Sequence, residues 1–364
     1  MRMKKLMILA VAAIALVACS KTFNTHHHGN EGKAIGFSTW AETMTKTAAN
    51  TVANSFAVGD DFTVFGIKTK STTNTTVFTN AKVEKTVVAP ETWSCTPVQY
   101  WDDDADSYTF YAIAPHSVGG TATLTPATGA IAASNIVFAG NDNDILLAEQ
   151  KIVNKGVAPY FNNHGAVPMV FHHAAALFDL NVKMSSDLEA ADAEVKITSI
   201  ELQNIDSKGN LTVTTGYTTD PVANATWATV EEAGNPTVND FSAGCEDVSA
   251  NLGVDIADQT VPIISKLIVL PQTFRTTGSY IQKVAIEYSI KQNGGDWVAY
   301  TPDAYNLTLF DNVDNKVNTD TAVSGWAKGT HYTYTITIDA NAIKFTATIQ
   351  NWLDGGNSWN YLAN

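Results

Sequence analysis

The sequence predicts an all-β protein built as two tandem β-sandwich domains. Segment after segment alternates apolar and polar residues with period two, the pattern of a strand with one buried face. β-Branched and aromatic residues fill the apolar positions, and these suit a pleated, half-buried surface. Turn chemistry recurs between the runs while helical patterns are scarce, and many short strands of this kind pack by default as sandwiches.

The chain opens on a different signal. Met1 to Lys5 carries Arg2, Lys4 and Lys5, and Leu6 to Ala18 is an unbroken apolar run of 13 residues. That is short of the roughly 20 needed for a relaxed membrane span. A basic head and a short apolar run make an export signal. The run ends Leu16-Val17-Ala18-Cys19 before Ser20, which resembles the lipobox of bacterial lipoproteins. Residues 1–18 are therefore expected to be a lipoprotein signal peptide, with Cys19 acylated and anchored by its buried methylenes. Residues 19–34, with His26-His27-His28, Gly29 and Gly32, form the expected flexible tether.

Strand patterns follow. Phe178, Leu180, Val182 and Met184 alternate with Asp179, Asn181 and Lys183. Val284, Ile286, Tyr288 and Ile290 share one face opposite Ala285, Glu287, Ser289 and Lys291. Tyr332 to Ile338 and Ile343 to Ile349 alternate on either side of Asp339-Ala340-Asn341, so residues 330–351 predict a hairpin. Ser185 to Glu194 predicts one short helix, and the Thr-rich patch Ser71 to Thr76 predicts a loop. A Gly-, Pro- and Asn-rich stretch at residues 139–168 marks a domain boundary. It places the N-terminal sandwich at 35–163 and the C-terminal one at 164–364.

Composition narrows the function. The chain is 45% hydrophobic and 16% charged, enough to fold, and its net charge is −14. Loss of residues 1–18 leaves 19 basic against 36 acidic groups, or −17. This charge argues against broad binding to nucleic acid or anionic lipid. Three cysteines rule out a disulfide-built scaffold. Cys95 and Cys245 fall in different predicted domains and are expected not to pair.

Catalytic signatures are missing: there is no Gly-x-Ser-x-Gly elbow, His-Glu-x-x-His, phosphate-cradling loop or Cys-x-x-Cys. Asp102-Asp103-Asp104-Ala105-Asp106 gathers carboxylates but lacks the glycine and the distal glutamate of a Ca²⁺ loop, so a solvated loop is expected. The same holds for Asn141 to Asp144. His172-His173 are expected to pack or cap. No catalytic, cofactor-binding or metal-binding residue is assigned, and the chain is expected not to be an enzyme.

The order of short motifs resembles the fimbrillin-like lipoproteins, the pilin subunits of the type V pili of Bacteroidales. The motifs run from the lipobox through Ile35-Gly36-Phe37-Ser38, Thr45-Lys46-Thr47 and Asp61 to Gly66. They continue through Tyr100-Trp101, Tyr108 to Ala112 with Pro115, Asp144 to Ala148 and Val170 to His173. The last are Leu267 to Leu270 with Pro271-Gln272, Gly329, and Asn351-Trp352.

The resemblance implies Greek-key, transthyretin-like sandwiches and assembly by strand exchange. A lipidated precursor reaches the outer membrane, a trypsin-like protease cuts after a basic residue, and an early strand leaves a groove that another subunit fills. Here the cut falls at Lys46, and the removable strand is Ile35, Gly36, Phe37, Ser38, Thr39 and Trp40. Ile35, Phe37 and Thr39 would face the groove. The family's usual cleavage-site arginine is a lysine in this chain, whose single arginine after residue 18 is Arg275. Either a lysine-tolerant protease acts or the strand stays in place. The implied partners are other fimbrial subunits, in a homo- or hetero-oligomer, and surface glycans or proteins bound by an adhesin. The alternative is a surface glycan-binding lipoprotein that stacks sugars on tryptophans such as Trp101, Trp297, Trp326 and Trp352.

Overall fold

A computed structural model describes residues 33–39, 56–87, 92–118, 121–125, 128–140, 144–156, 165–214, 220–242, 255–256, 260–309, 311–312, 323–339 and 343–352. The signal peptide, His26 to His28, Cys19, Trp40, Lys46 and Cys245 lie outside the described residues. The described chain is almost entirely strand, as the alternation predicts.

Its centre is the strand Asp61–Lys70, in which every residue from Phe62 to Ile67 is buried. Successive side chains of a strand point to opposite faces. Phe62 and Val64 therefore join one core while Phe65 and Ile67 join another. This strand lies in the middle of a sheet ordered Phe171–His173, Leu146–Ala148, Ser107–Ala114, Asp61–Lys70, Thr73–Val87, Thr92–Thr96. Lys151–Asn154 also pairs with Ser107–Ala114. One face of this sheet packs on a four-stranded sheet of Thr121–Thr125, Ala130–Val137, Lys208–Val213 and Ala225–Thr229. The other face is covered by a two-stranded parallel ribbon, Phe37–Thr39 with Val167–Met169.

The remainder packs a five-stranded sheet against a six-stranded one. The five-stranded sheet is centred on Ala176–Met184 and Thr330–Ile338, and the six-stranded sheet on Ala193–Asp206 and Lys283–Gln292. The expected hairpin is present: Thr330–Ile338 pairs antiparallel with Ile343–Asn351, with Tyr332 opposite Ile349. Ala176–Met184 runs parallel to Thr330–Ile338. Among the described residues the core gathered beneath the ribbon reaches Phe171, and that of the latter sandwich begins at Ala176. The third core draws Phe65 and Tyr111 together with Leu177, Ile268 and Leu270. Lys33–Asn364 forms one unit. The Gly-, Pro- and Asn-rich stretch contains three strands, Leu146–Ala148, Lys151–Asn154 and Val167–Met169.

One expectation is corrected, and another is borne out with narrower bounds. Thr73 to Thr76 lie in the strand Thr73–Val87, opposite Ile67 to Lys70, and only Ser71 and Thr72 form a turn. A partner strand completes the ladder of these polar residues, which their composition does not reveal. The helix is Ser186–Ala190, capped by Ser185, whose hydroxyl accepts from the Leu188 N–H at 3.4 Å. Asp192 turns to a φ of 51°, and Glu194 already lies in the next strand. The buried face formed by Ala193, Val195 and Ile197 sets that boundary.

A buried polar network ties the latter sandwich to its neighbours. Arg275 reaches Asp206 at 2.7 Å, and the Asp206 side chain is 2% exposed. The Thr229 hydroxyl donates to the same carboxylate at 2.9 Å, and the Asp206 N–H donates to Gln272 at 3.0 Å. Gln282 accepts from the Arg275 N–H at 2.8 Å. Replacing Arg275 with Met strands a buried carboxylate, so Arg275→Met should cost about 3–5 kcal/mol in chemical denaturation. Loss below about 1 kcal/mol would mean that the network does not carry this weight.

Candidate functional site

The candidate site is the seat of the ribbon strand on the central sheet. Hydrogen bonds hold the segment on both edges. The Ile35 N–H donates to Gln99 O at 2.8 Å, and the Trp101 N–H donates to Lys33 O at 3.0 Å. Ala34 bridges Tyr100 in the antiparallel sense. On the opposite edge the Val167 N–H donates to Gly36 O at 2.8 Å, and Phe37, Ser38 and Thr39 run parallel to Val167, Pro168 and Met169. Pro168 has no N–H, a limit that suits a short strand at a sheet margin.

Side chains divide by face. Ile35 and Phe37 are buried, at 2% and 4% exposure, while Gly36, Ser38 and Thr39 are half-buried. The Phe37 ring meets Phe62 at 6.2 Å, Phe78 at 5.6 Å and Phe110 at 5.5 Å, each edge-on. Edge-to-face contacts bring ring hydrogens to the negative π-face, adding about 0.5–1.5 kcal/mol each beyond burial. Gly66 makes room for this box: a Cβ there would lie 2.8 Å from Phe78 and 3.2 Å from Phe110. The aromatic layer continues through Phe56, which meets Trp93 at 5.4 Å and Phe171 at 5.2 Å. It ends at Trp101, which sits edge-on to Tyr108 at 4.8 Å. The Tyr108 hydroxyl accepts from the Asp102 N–H at 2.7 Å, and burial pushes its phenol above the usual tyrosine range.

The acidic loop next to this layer is tied down by lysines. Lys68 donates to Asp102 at 2.7 Å and Lys70 to Asp104 at 3.2 Å, while Asp106 accepts from the Ser71 N–H at 2.5 Å. The Lys68 hydrogen bond holds the Asp102 carboxyl below its ordinary value. Among the described residues no three His, Cys, Asp or Glu side chains gather as a metal site. His172 contacts Glu149 at 3.0 Å, and the buried His173 contacts Asp144 at 2.9 Å while stacking on Trp352 at 3.7 Å. Trp101 and Trp326 are buried, and Trp297 lies under Lys196 at 4.2 Å.

The structure brings Ile35 to Thr39 together on one seat, whereas Trp40, Lys46 and Cys19 lie outside the described residues. The receiving parts were not legible in the sequence. Val167–Met169 is three residues long, and Gln99 and Trp101 lie in a turn region with no strand pattern. Phe56 returns the chain to the core after the interval that contains Lys46.

Phe37→Ala should destabilise the intact chain by about 3–5 kcal/mol by thermal or chemical unfolding. Gly36→Ala should stay within about 0.5 kcal/mol, because nothing lies within 4 Å of the added carbon. Equal effects would show that the seat does not discriminate faces. The Cys95 thiol is free, and burial pushes it up to about 11. It should react with iodoacetamide at neutral pH far more slowly than a small-molecule thiol, and it should gain reactivity on denaturation.

Comparison with known proteins places this architecture. Fimbrium subunit Fim1C of Phocaeicola vulgatus is 24% identical over 403 aligned positions, covering 97% of this chain and 98% of that protein. The crystal structure of a fimbrial protein from Bacteroides vulgatus matches with a TM-score of 0.59 at 18% identity, over 88% of this chain and 99% of the other. The fold is thus shared across nearly the whole of that molecule. The fimbrillin-like family model matches residues 45–352, and the chain belongs to that family.

Proposed function

We propose that this chain is a non-enzymatic fimbrial subunit that assembles by exchanging its own early strand for a strand of another subunit. One observation carries the proposal: a hydrophobic strand at the start of the described chain fills an aromatic seat, with Phe37 at 4% exposure. Only the interval between Thr39 and Phe56 connects it onward to the rest of the fold. A single cut there, at Lys46, turns the strand into a separate peptide held only by non-covalent contacts. Its departure would break the backbone hydrogen bonds it makes with Gln99, Trp101 and Val167 and uncover the rings of Phe62, Phe78 and Phe110. An incoming strand satisfies both deficits, through main-chain hydrogen bonds and alternating side chains.

The proposal includes export and anchoring. Cys19 receives lipid after removal of residues 1–18, and the lipid holds the precursor at the outer membrane until Lys46 is cut. Among the described residues no helix is long and apolar enough to cross a membrane. Fim1C, named as a fimbrium subunit, matches end to end, and this supports a subunit role for the present chain. The proposal keeps two sandwich halves for that subunit, with Val167–Met169, Phe171–His173, Lys208–Val213 and Ala225–Thr229 belonging with the strands of the first half rather than with a second half that starts at residue 164.

Trypsin applied to the purified precursor should cut near Lys46 and produce a ladder of higher oligomers, absent from the uncut protein and from Lys46→Gln. Clean cleavage at that position with the subunit remaining monomeric would overturn strand exchange.

A further inference from the structure

We propose that the Phe37 box is the specificity pocket of the groove. It selects an incoming strand that carries a phenylalanine-sized ring two residues after an aliphatic side chain and that runs parallel to Val167–Met169. The proposal deepens the strand-exchange function and rests on it. Its occupant is a segment of another subunit with the pattern aliphatic, any residue, phenylalanine.

The pocket is shaped for a ring. Its walls are Phe62, Phe78 and Phe110, each fully buried, and their planes lie 88°, 64° and 87° from that of Phe37. A leucine would fill less volume and give up all three edge-to-face contacts. A larger ring meets walls that cannot retreat, because the sheet behind them is packed on its far face by Phe65, Tyr111 and Ile113. Gly66 fixes the floor, since a side chain there would drive Phe78 and Phe110 into the pocket. The intervening position is permissive, because the space around Gly36 is open.

Direction is fixed by the two edges. One edge pairs antiparallel through Ala34 opposite Tyr100, and the other pairs parallel through Phe37 opposite Val167. A strand entering in reverse would invert both pairings, losing the bonds to Gln99 O and Trp101 N–H on one side and to Val167 N–H on the other. Ile35 sits near the antiparallel edge and Phe37 on the parallel edge, so the order of aliphatic and aromatic residues is tied to the direction.

The test uses full-length precursor opened with trypsin, with a fluorescent peptide of residues 33–39 as probe. Binding of the native peptide is expected, with about 100-fold or greater loss for Phe37→Ala and about 10-fold loss for Phe37→Leu. A peptide of reversed sequence should not bind. Equal affinity of the Phe37→Leu and native peptides, or binding of the reversed peptide, overturns the proposal. Mass spectrometry after the cut separates the two levels: retention of residues 33–39 by the cleaved subunit counts against exchange itself. In that event thermal unfolding of the full chain decides the pocket, where Phe37→Leu should lower Tm more than Ile35→Val. Equal Tm values for Phe37→Leu and the parent chain would overturn the selectivity.

Discussion

The structure depends on a sheet that must be covered on both faces. Asp61–Lys70 sends Phe62 and Val64 one way and Phe65 and Ile67 the other, so neither face can remain in water. The second face is closed by a four-stranded sheet packed against it through a shared apolar core. The first face is closed by a ribbon of two three-residue strands, one of them taken from the beginning of the described chain. A face lined by Phe62, Phe78, Tyr108 and Phe110 is thus covered by two strands of only three residues each.

The other half of the molecule is fastened differently. There the two sheets bury a continuous aliphatic and aromatic core, and Arg275 holds Asp206 within a network of Gln272, Gln282 and Thr229. Breaking such a network strands a charge in low dielectric, whereas losing a hydrophobic strand exposes a surface that a similar strand can cover again. The fold therefore combines sheets locked by a buried ion pair with a sheet whose one face is covered by a short ribbon. The shared core around Leu177, Ile268 and Leu270 joins the two regimes.

Surface charge supports the same economy. The acidic balance disfavours chance pairing of exposed strand edges between copies. The carboxylates near the seat are not idle, because Asp102 and Asp104 accept from Lys68 and Lys70 and keep the loop against the sheet. The sequence predicts a solvated loop at this cluster, and the structure adds the lysine partners that link it to the sheet.

Much of the secondary structure was written in the sequence, because a strand with one buried face leaves a period of two in the residues themselves. That is why Ala176–Met184, Lys283–Gln292 and the hairpin of Thr330–Ile338 with Ile343–Asn351 were legible, and why the family resemblance emerged from short motifs in order. Residues 71–76 misled because polar strand and polar loop share a composition, and only the partner strand distinguishes them. The seat itself was beyond local reading. Phe37 meets Phe62, Phe78, Phe110 and Val167, residues 25 to 130 positions away, and no local pattern encodes which distant side chains will converge. The family resemblance implied that Ile35, Phe37 and Thr39 share an inward face; tertiary packing decided what that face is buried against, enclosing Ile35 and Phe37 and leaving Thr39 half-buried.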